Sequence, residues 1–308
     1  MEQTQTIVID RLPTRTWNRL GVNETALLWD IAETTDLGSD TVTAPQAEPV
    51  RFDIQGEGAY SCRTIQIEAP AKTSVTVFEI FHADRALAVD TKITAGESSV
   101  VRLVQISDTE EGSTLKNHME SDCEANSRIE LIQIIAGKGD FYSDSYCALR
   151  GDGSSLKADI GYLGRKEQII DLNLAVDQFG RKTESEINAS GALKDSARKI
   201  FRGTIDFKKG SAGSVGNEQE TVLMLGDDVS NKTVPLILCA EENVVGNHGA
   251  TIGSLDDETL FYFESRGIGK ETAEDILARA ALERLARAAG DSEALAIVEK
   301  QLGGTENV

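Results

Sequence analysis

The sequence predicts a mainly β protein, a β-solenoid carrying a small α-helical tail, on three observations. Runs alternating β-branched and polar residues with period two follow one another from about residue 51 to 240, with no helix-length pattern between them. Gly, Asp and Asn turns separate these runs at irregular intervals of roughly 10 to 25 residues. Aromatic residues make up only 5% of the chain, too few to fill a wide sandwich core.

In chain order, RLPTRTWNRLGVN (Arg11 to Asn23) is punctuated by Pro13 and Gly21 and reads as a lead-in with one helical turn around Trp17. Residues 34–50, TTDLGSDTVTAPQAEPV, are polar and turn-rich and read as a loop, so 1–50 is expected to be an N-terminal segment. The body, 51–254, contains RFDIQ at 51, TIQIEA at 64, SVTVFEIF at 74, SVVRLVQIS at 99, SRIELIQII at 127 and SLKADIGYL at 155. IIDLNLAVD at 169, SEINASGAL at 185, KIFRGTIDF at 199, TVLML at 221 and TVPLILCA at 233 continue the series. No fixed repeat is visible. The last part, 255–308, changes period: Ile276, Leu277, Ala280 and Leu285 stand near helical spacing, with Glu271 and Glu274 early and Arg284 and Arg287 late, as the helix dipole favours. Gly290 stops that helix, and a second is expected from Asp291 through Leu302, capped by Asp291 or Ser292. This tail reads as a docking module or as a cap on the open end of the solenoid.

Charge narrows the function. With 51 acidic against 31 basic residues the net charge is −20, a field that repels phosphate backbones and anionic lipid headgroups. No nucleic-acid or membrane partner is expected. The longest apolar runs are too short to span a bilayer, and MEQTQTIVIDRLP has neither the basic start nor the apolar run of a signal peptide, so a cytoplasmic protein is expected. Four cysteines, Cys62, Cys123, Cys147 and Cys239, show no CxxC spacing and read as small buried hydrophobes.

No GxSxG elbow, Walker A loop or HExxH is present, and GKGD at 137 and GDGSS at 151 read as plain turns. The acidic pairs Asp227–Asp228, Glu241–Glu242 and Asp256–Asp257 could supply acid and base to a β-helix enzyme acting on polysaccharide, the main rival from another class. With 2 Trp and 5 Tyr, however, the chain offers few platforms for sugars. His82, in FEIFHADR, reads as lying at a strand end and His118, in LKNHMESD, in a polar loop. His248 differs: in GNHGATIG the flanking Gly246 and Gly249 suit a tight turn that leaves the imidazole unobstructed, yet no other histidine lies near it in sequence.

Two long stretches carry a family resemblance: Ser190 to Gln219, SGALKDSARKIFRGTIDFKKGSAGSVGNEQ, and Leu223 to Ile268, which runs through VPLILCAEENVVGNHGATIGSLDDETLFYFESRGI. They closely resemble the SufB/SufD family of iron–sulfur cluster assembly proteins, and RLPTRTWNRLGVN resembles the LPTPTWNWL segment of SufD-like members. The resemblance implies a right-handed parallel β-helix with a helical C-terminal region, and a scaffold without turnover of its own. It further implies a SufB-type partner subunit, or a second copy of the chain, a SufC-type ATPase, and a nascent cluster or iron held at the interface between subunits. A flavin is a candidate reductant of iron in such a complex.

His248 matches the histidine of the SufD-type NHGAT pattern. SufB-type members place a glutamate there and a cysteine earlier, in a GDKCGAHT-like segment. Here that segment is GDDVSNKT, with Val229 at the cysteine position, so the chain resembles SufD and lacks the thiol on which a cluster starts. Gly246 stands where some SufD-type sequences carry a cysteine. Cys239 is the nearest thiol to His248 in sequence and the weaker ligand candidate, expected to be buried in its apolar strand. FYFESRGI resembles the family's SufC-docking segment, which implies contacts through Tyr262, Arg266 and Gly267; the competing expectation is that Tyr262 packs the tail onto the β body. A purely structural SufD-like subunit, with His248 idle, is the third reading.

Overall fold

The computed structural model describes residues 4–16 and 18–303, so the part of the lead-in reading that rests on Trp17 lies outside the described residues. The body is a two-sheet parallel β-solenoid. One sheet, here the odd sheet, contains β3 (Thr34–Thr43), β5 (Tyr60–Ala69), β7 (Ala86–Ala95), β9 (Thr114–Cys123), β11 (Asp140–Leu149), β13 (Ile169–Gln178), β15 (Arg198–Phe207) and β17 (Ser230–Cys239) in spatial order. The even sheet contains β4 (Val50–Gln55), β6 (Ser74–Ala83), β8 (Val100–Thr109), β10 (Arg128–Ile135), β12 (Ser155–Gly164), β14 (Glu184–Lys194), β16 (Val215–Leu225) and β18 (Val245–Gly253). Each strand pairs with the strand one coil on. The coil lengthens from 26 residues at Tyr60↔Ala86 to 32 at Arg198↔Ser230, and this drift hides the repeat from a fixed-period reading.

Alternation builds the core. Inward positions of both sheets, such as Val77, Leu103, Leu131, Leu172 and Ile187, form one apolar cluster running through the coils. A polar ladder interrupts it. Glu79, Gln105 and Gln133 are register partners on the even sheet and face Thr91, Asn117 and Ser143. Gln105 Nε2 donates to Glu79 Oε2 (2.8 Å), Thr91 Oγ1 to Glu79 Oε1 (3.0 Å) and Gln133 Nε2 to Ser143 Oγ (3.1 Å), so few of these buried groups lack a partner.

Several elements differ from expectation: strands β7, β9 and β11 lie outside the period-two runs read from the sequence, and others stand in the N-terminal part. Residues 34–43, expected as loop, form β3, because the Thr and Val residues suit an edge strand and a register shift between Asp36 and Ser39 absorbs Gly38, at φ 85°. The N-terminal segment contains an antiparallel hairpin of β1 (Thr4–Ile9) and β2 (Thr25–Asp30) around a 3-10 turn at Asn18–Leu20. Ile9, Leu27 and Trp29 pack with Ala88 and Tyr142 on the odd sheet's outer face, where the Arg202 guanidinium donates to Val22 O (2.6 Å) and pairs with Asp171.

The tail holds three helices: α1 (Asp257–Ser265), α2 (Lys270–Ala289) and α3 (Ser292–Gln301), the first not anticipated from periodicity. Asp291 caps α3 through Ala294 N (2.7 Å), and Gly290, at φ 76°, ends α2. The helices do not close the open end. Leu282, Leu285 and Val298 pack back against Phe78, Ile80, Val104, Ile106, Ile132 and Ile134 on the outer face of the even sheet. Those strands carry apolar residues on both faces, so the sheet needs an outer cover. Gly161 lets α2 lie close, since a Cβ there would push the end of the Leu285 side chain aside.

Candidate functional site

The last coil, β17 and β18, lies at one end of both sheets, and each of its strands leaves one edge unpaired. Every residue of β18 is exposed, whereas the strands of earlier coils bury alternate residues. Val245 and Ile252 are exposed there, and Ile237 is only partly buried on the core. Two strand edges of this length are a template for pairing with another chain.

His248 lies inside β18, in a strand and not in the tight turn expected from its glycines. Parity fixes its direction. A Cβ on Gly246 would pack on Ile237 and Phe207, so position 246 faces the solenoid axis, and Asn247 on the other face donates to Asn217 Oδ1 (2.9 Å) in an exterior ladder. His248 therefore shares the inward face with Gly246 and, with no further coil above it, stands over the open mouth. Cys239 is the last residue of β17 and is exposed, contrary to the expectation of burial, because its strand has no neighbour on that side. It is the register partner of Phe207, the ring that Gly246 also meets, so thiol and imidazole belong to one terminal coil. Val229 packs against the core.

One coil inside His248 lies a charged cluster that the sequence reading missed. Lys199 and Glu220, both fully buried, form an ion pair; Glu220 also accepts from Thr233 Oγ1 (2.6 Å) and Tyr162 OH (3.3 Å). Burial pulls the Lys199 pKa down against the opposing pull of Glu220. Glu218 is the direct register partner of His248; burial, reinforced by the Glu220 charge, raises its pKa to about 7. The signal was present: in GNEQETV, Glu218 and Glu220 share parity with Val222, which marks them as inward-facing in a period-two strand.

The other candidates separate. His82 stands near the end of β6, its Nδ1 3.0 Å from Asp108 Oδ2, and His118 lies within β9 and not in a loop. Glu241 accepts from Gly210 N (3.0 Å), an interaction that lowers its pKa, and Asp256 caps α1 through Thr259 N (2.7 Å). These acids thus support a turn and a helix start. Tyr262 does not pack the tail onto the body: α1 buries no residue, and Phe261 and Tyr262 are 71% and 55% exposed. Arg266 stacks 5.1 Å above the Tyr262 ring, and Gly267, at φ 78°, turns the chain out of α1. Among the described residues no group of three or more His, Cys, Asp and Glu is arranged to hold a metal ion, and no helix is long and apolar enough to cross a membrane.

Comparison with known proteins shows which family the chain belongs to. Residues 52–281 match the family model described as SUF system FeS cluster assembly, SufBD core domain. The chain is 28% identical over 219 residues to the iron–sulfur cluster assembly protein SufD of Bacillus subtilis, covering 69% of this chain and 50% of that protein. It is 26% identical over 160 residues to SufD of Escherichia coli (51% and 38%) and 25% identical over 162 residues to SufB of Bacillus subtilis (52% and 35%). These matches span half or less of the length of those relatives. Since the family model covers most of the solenoid and runs on into α2, the chain belongs to the SufBD family of SUF-system iron–sulfur cluster assembly proteins.

Proposed function

We propose that the chain is a SufD-like scaffold subunit that joins a SufB-type subunit through its terminal coil and contributes His248 to a nascent cluster or iron held between the two. The observation that carries this reading is the bare last coil, which presents unpaired strand edges and an inward-facing imidazole at its mouth. A partner solenoid pairing with those edges would cover Val245 and Ile252 and enclose the space over His248. A neutral imidazole is a good ligand for iron, and the remaining ligands come from the partner, including the thiolate missing at Val229. Cys239 on the same coil is the weaker second candidate. The cluster is cargo, built and passed on.

The exposed α1 supplies the second contact. Tyr262, Arg266 and Gly267 form the docking face for a SufC-type ATPase, an aromatic anchor with a stacked guanidinium beside a sharp turn. Because α1 follows β18 after only a few residues, movement of the docked ATPase would be felt at the terminal coil.

The test is co-expression with SufB-type and SufC-type partners, wild type beside His248→Ala, with gel filtration and assay of bound iron and sulfide. A complex that forms in both cases but holds cluster only with His248 supports the reading. Equal cluster in the variant would leave a purely structural subunit, and a chain that assembles only with itself would point to the homodimer.

A further inference from the structure

We propose that Glu218 is a second ligand of the site at the mouth, so that His248 and Glu218 take a divalent cation of the ferrous class together, as one nitrogen and one oxygen donor from adjacent strands. The proposal rests on the reading of His248 as a ligand and extends it to a residue inside the solenoid.

The two are register partners in the parallel β16–β18 pair, so their Cα atoms are about 4.8 Å apart and their side chains leave the same face of the sheet. Glu218 is 4% exposed, and its Oε2 has no hydrogen-bond partner. Its neighbours explain why. The carboxylate lies against Gly203 on the opposite wall, where any Cβ would collide with it. The next residue outward in that column is Pro235, which has neither an N–H nor a polar side chain to offer, and the next inward in its own column is Ile187. The Lys199 ammonium is engaged by Glu220, which also accepts from Thr233 and Tyr162.

Glu220 is thus satisfied from three sides while Glu218, two residues away, is not. A buried carboxylate oxygen without a donor is costly, and the polar side chain next in its column is His248. A cation entering at the mouth would satisfy both groups, with water or a partner's ligands completing its shell. Gly203 leaves space on the opposite wall that the carboxylate fills, since any Cβ there would collide with it.

The experiment is anaerobic titration of the purified full chain with Co2+, read by its visible absorption and by calorimetry, for wild type, His248→Ala, Glu218→Gln and Glu218→Asp. Each of the first two substitutions is expected to weaken cobalt binding at least about tenfold, with melting temperature recorded as the folding control. Glu218→Asp, which keeps the charge but withdraws it by one methylene, is expected to weaken binding less, and it carries the test if the Gln variant does not fold. Binding lost in His248→Ala but unchanged in both Glu218 variants overturns the present inference and leaves the histidine reading standing. Binding unchanged in His248→Ala overturns the histidine reading itself. A wild-type chain that takes up no cobalt overturns the two-residue site, and the iron content of the co-expressed complex then judges His248 by itself.

Discussion

Lys199 and Glu220 form an ion pair sealed inside the solenoid, one coil from its open end, with Tyr162 and Thr233 donating further hydrogen bonds to the carboxylate. Removing one partner leaves the other charged and buried. Lys199→Met or Glu220→Gln alone is expected to destabilise by about 3–5 kcal/mol, whereas the double substitution should recover most of that loss. Thermal unfolding of the three variants, followed by circular dichroism, checks this; a double variant no better than the worse single one would contradict it.

The interior ladder predicts an unusual pH dependence. Burial raises the Glu79 pKa from its ordinary 4.5 to about 7 against the opposing donors Gln105 and Thr91. Between these values the folded chain binds a proton that the unfolded chain has released. The stabilisation is therefore complete below about pH 4 and is lost as pH rises to 7, by about 3 kcal/mol for this group. Glu218 adds a loss of the same sign over the same window. Glu79→Gln should flatten the curve of melting temperature against pH between 4.5 and 7, and an unchanged slope would mean that Glu79 is not the titrating group.

The terminal coil can be tested without touching His248. Val245 and Ile252 are exposed on β18, so Val245→Lys with Ile252→Lys should leave the melting temperature of the isolated chain nearly unchanged. The same double variant should lose partner association by at least about tenfold, because charged residues on an edge strand oppose pairing. Gel filtration of the co-expressed pair reads the result, and undiminished association would place the interface elsewhere.

On α1 the expected split is similar. Phe261→Ala and Tyr262→Ala remove exposed rings, so stability should move by no more than about 0.5 kcal/mol. Capture of a SufC-type ATPase should fall sharply in both. A loss of stability comparable to a core truncation would show that these rings pack within the chain.

What the sequence determined by itself was the local physics. Period-two runs marked most strands of the body, though not β7, β9, β11 or β18, the tail's change of period marked α2 and α3, and Asp291 and Gly290 announced the cap and stop that the structure uses. His248 was conspicuous for its isolation, and the stretches around it identified the family. Only the tertiary structure decided which groups meet. The coil length drifts, so no fixed period tells which residues of successive coils are register partners, and the pairing of Glu218 with His248 across 30 residues had to be read from the register. Strand periodicity also cannot say which strand comes last. Cys239 sits in an apolar run that reads as buried, and it is exposed because no further coil covers it. The helices were legible as amphipathic, but their place on the flank followed from the even sheet's second apolar face, which needed covering and left the mouth open.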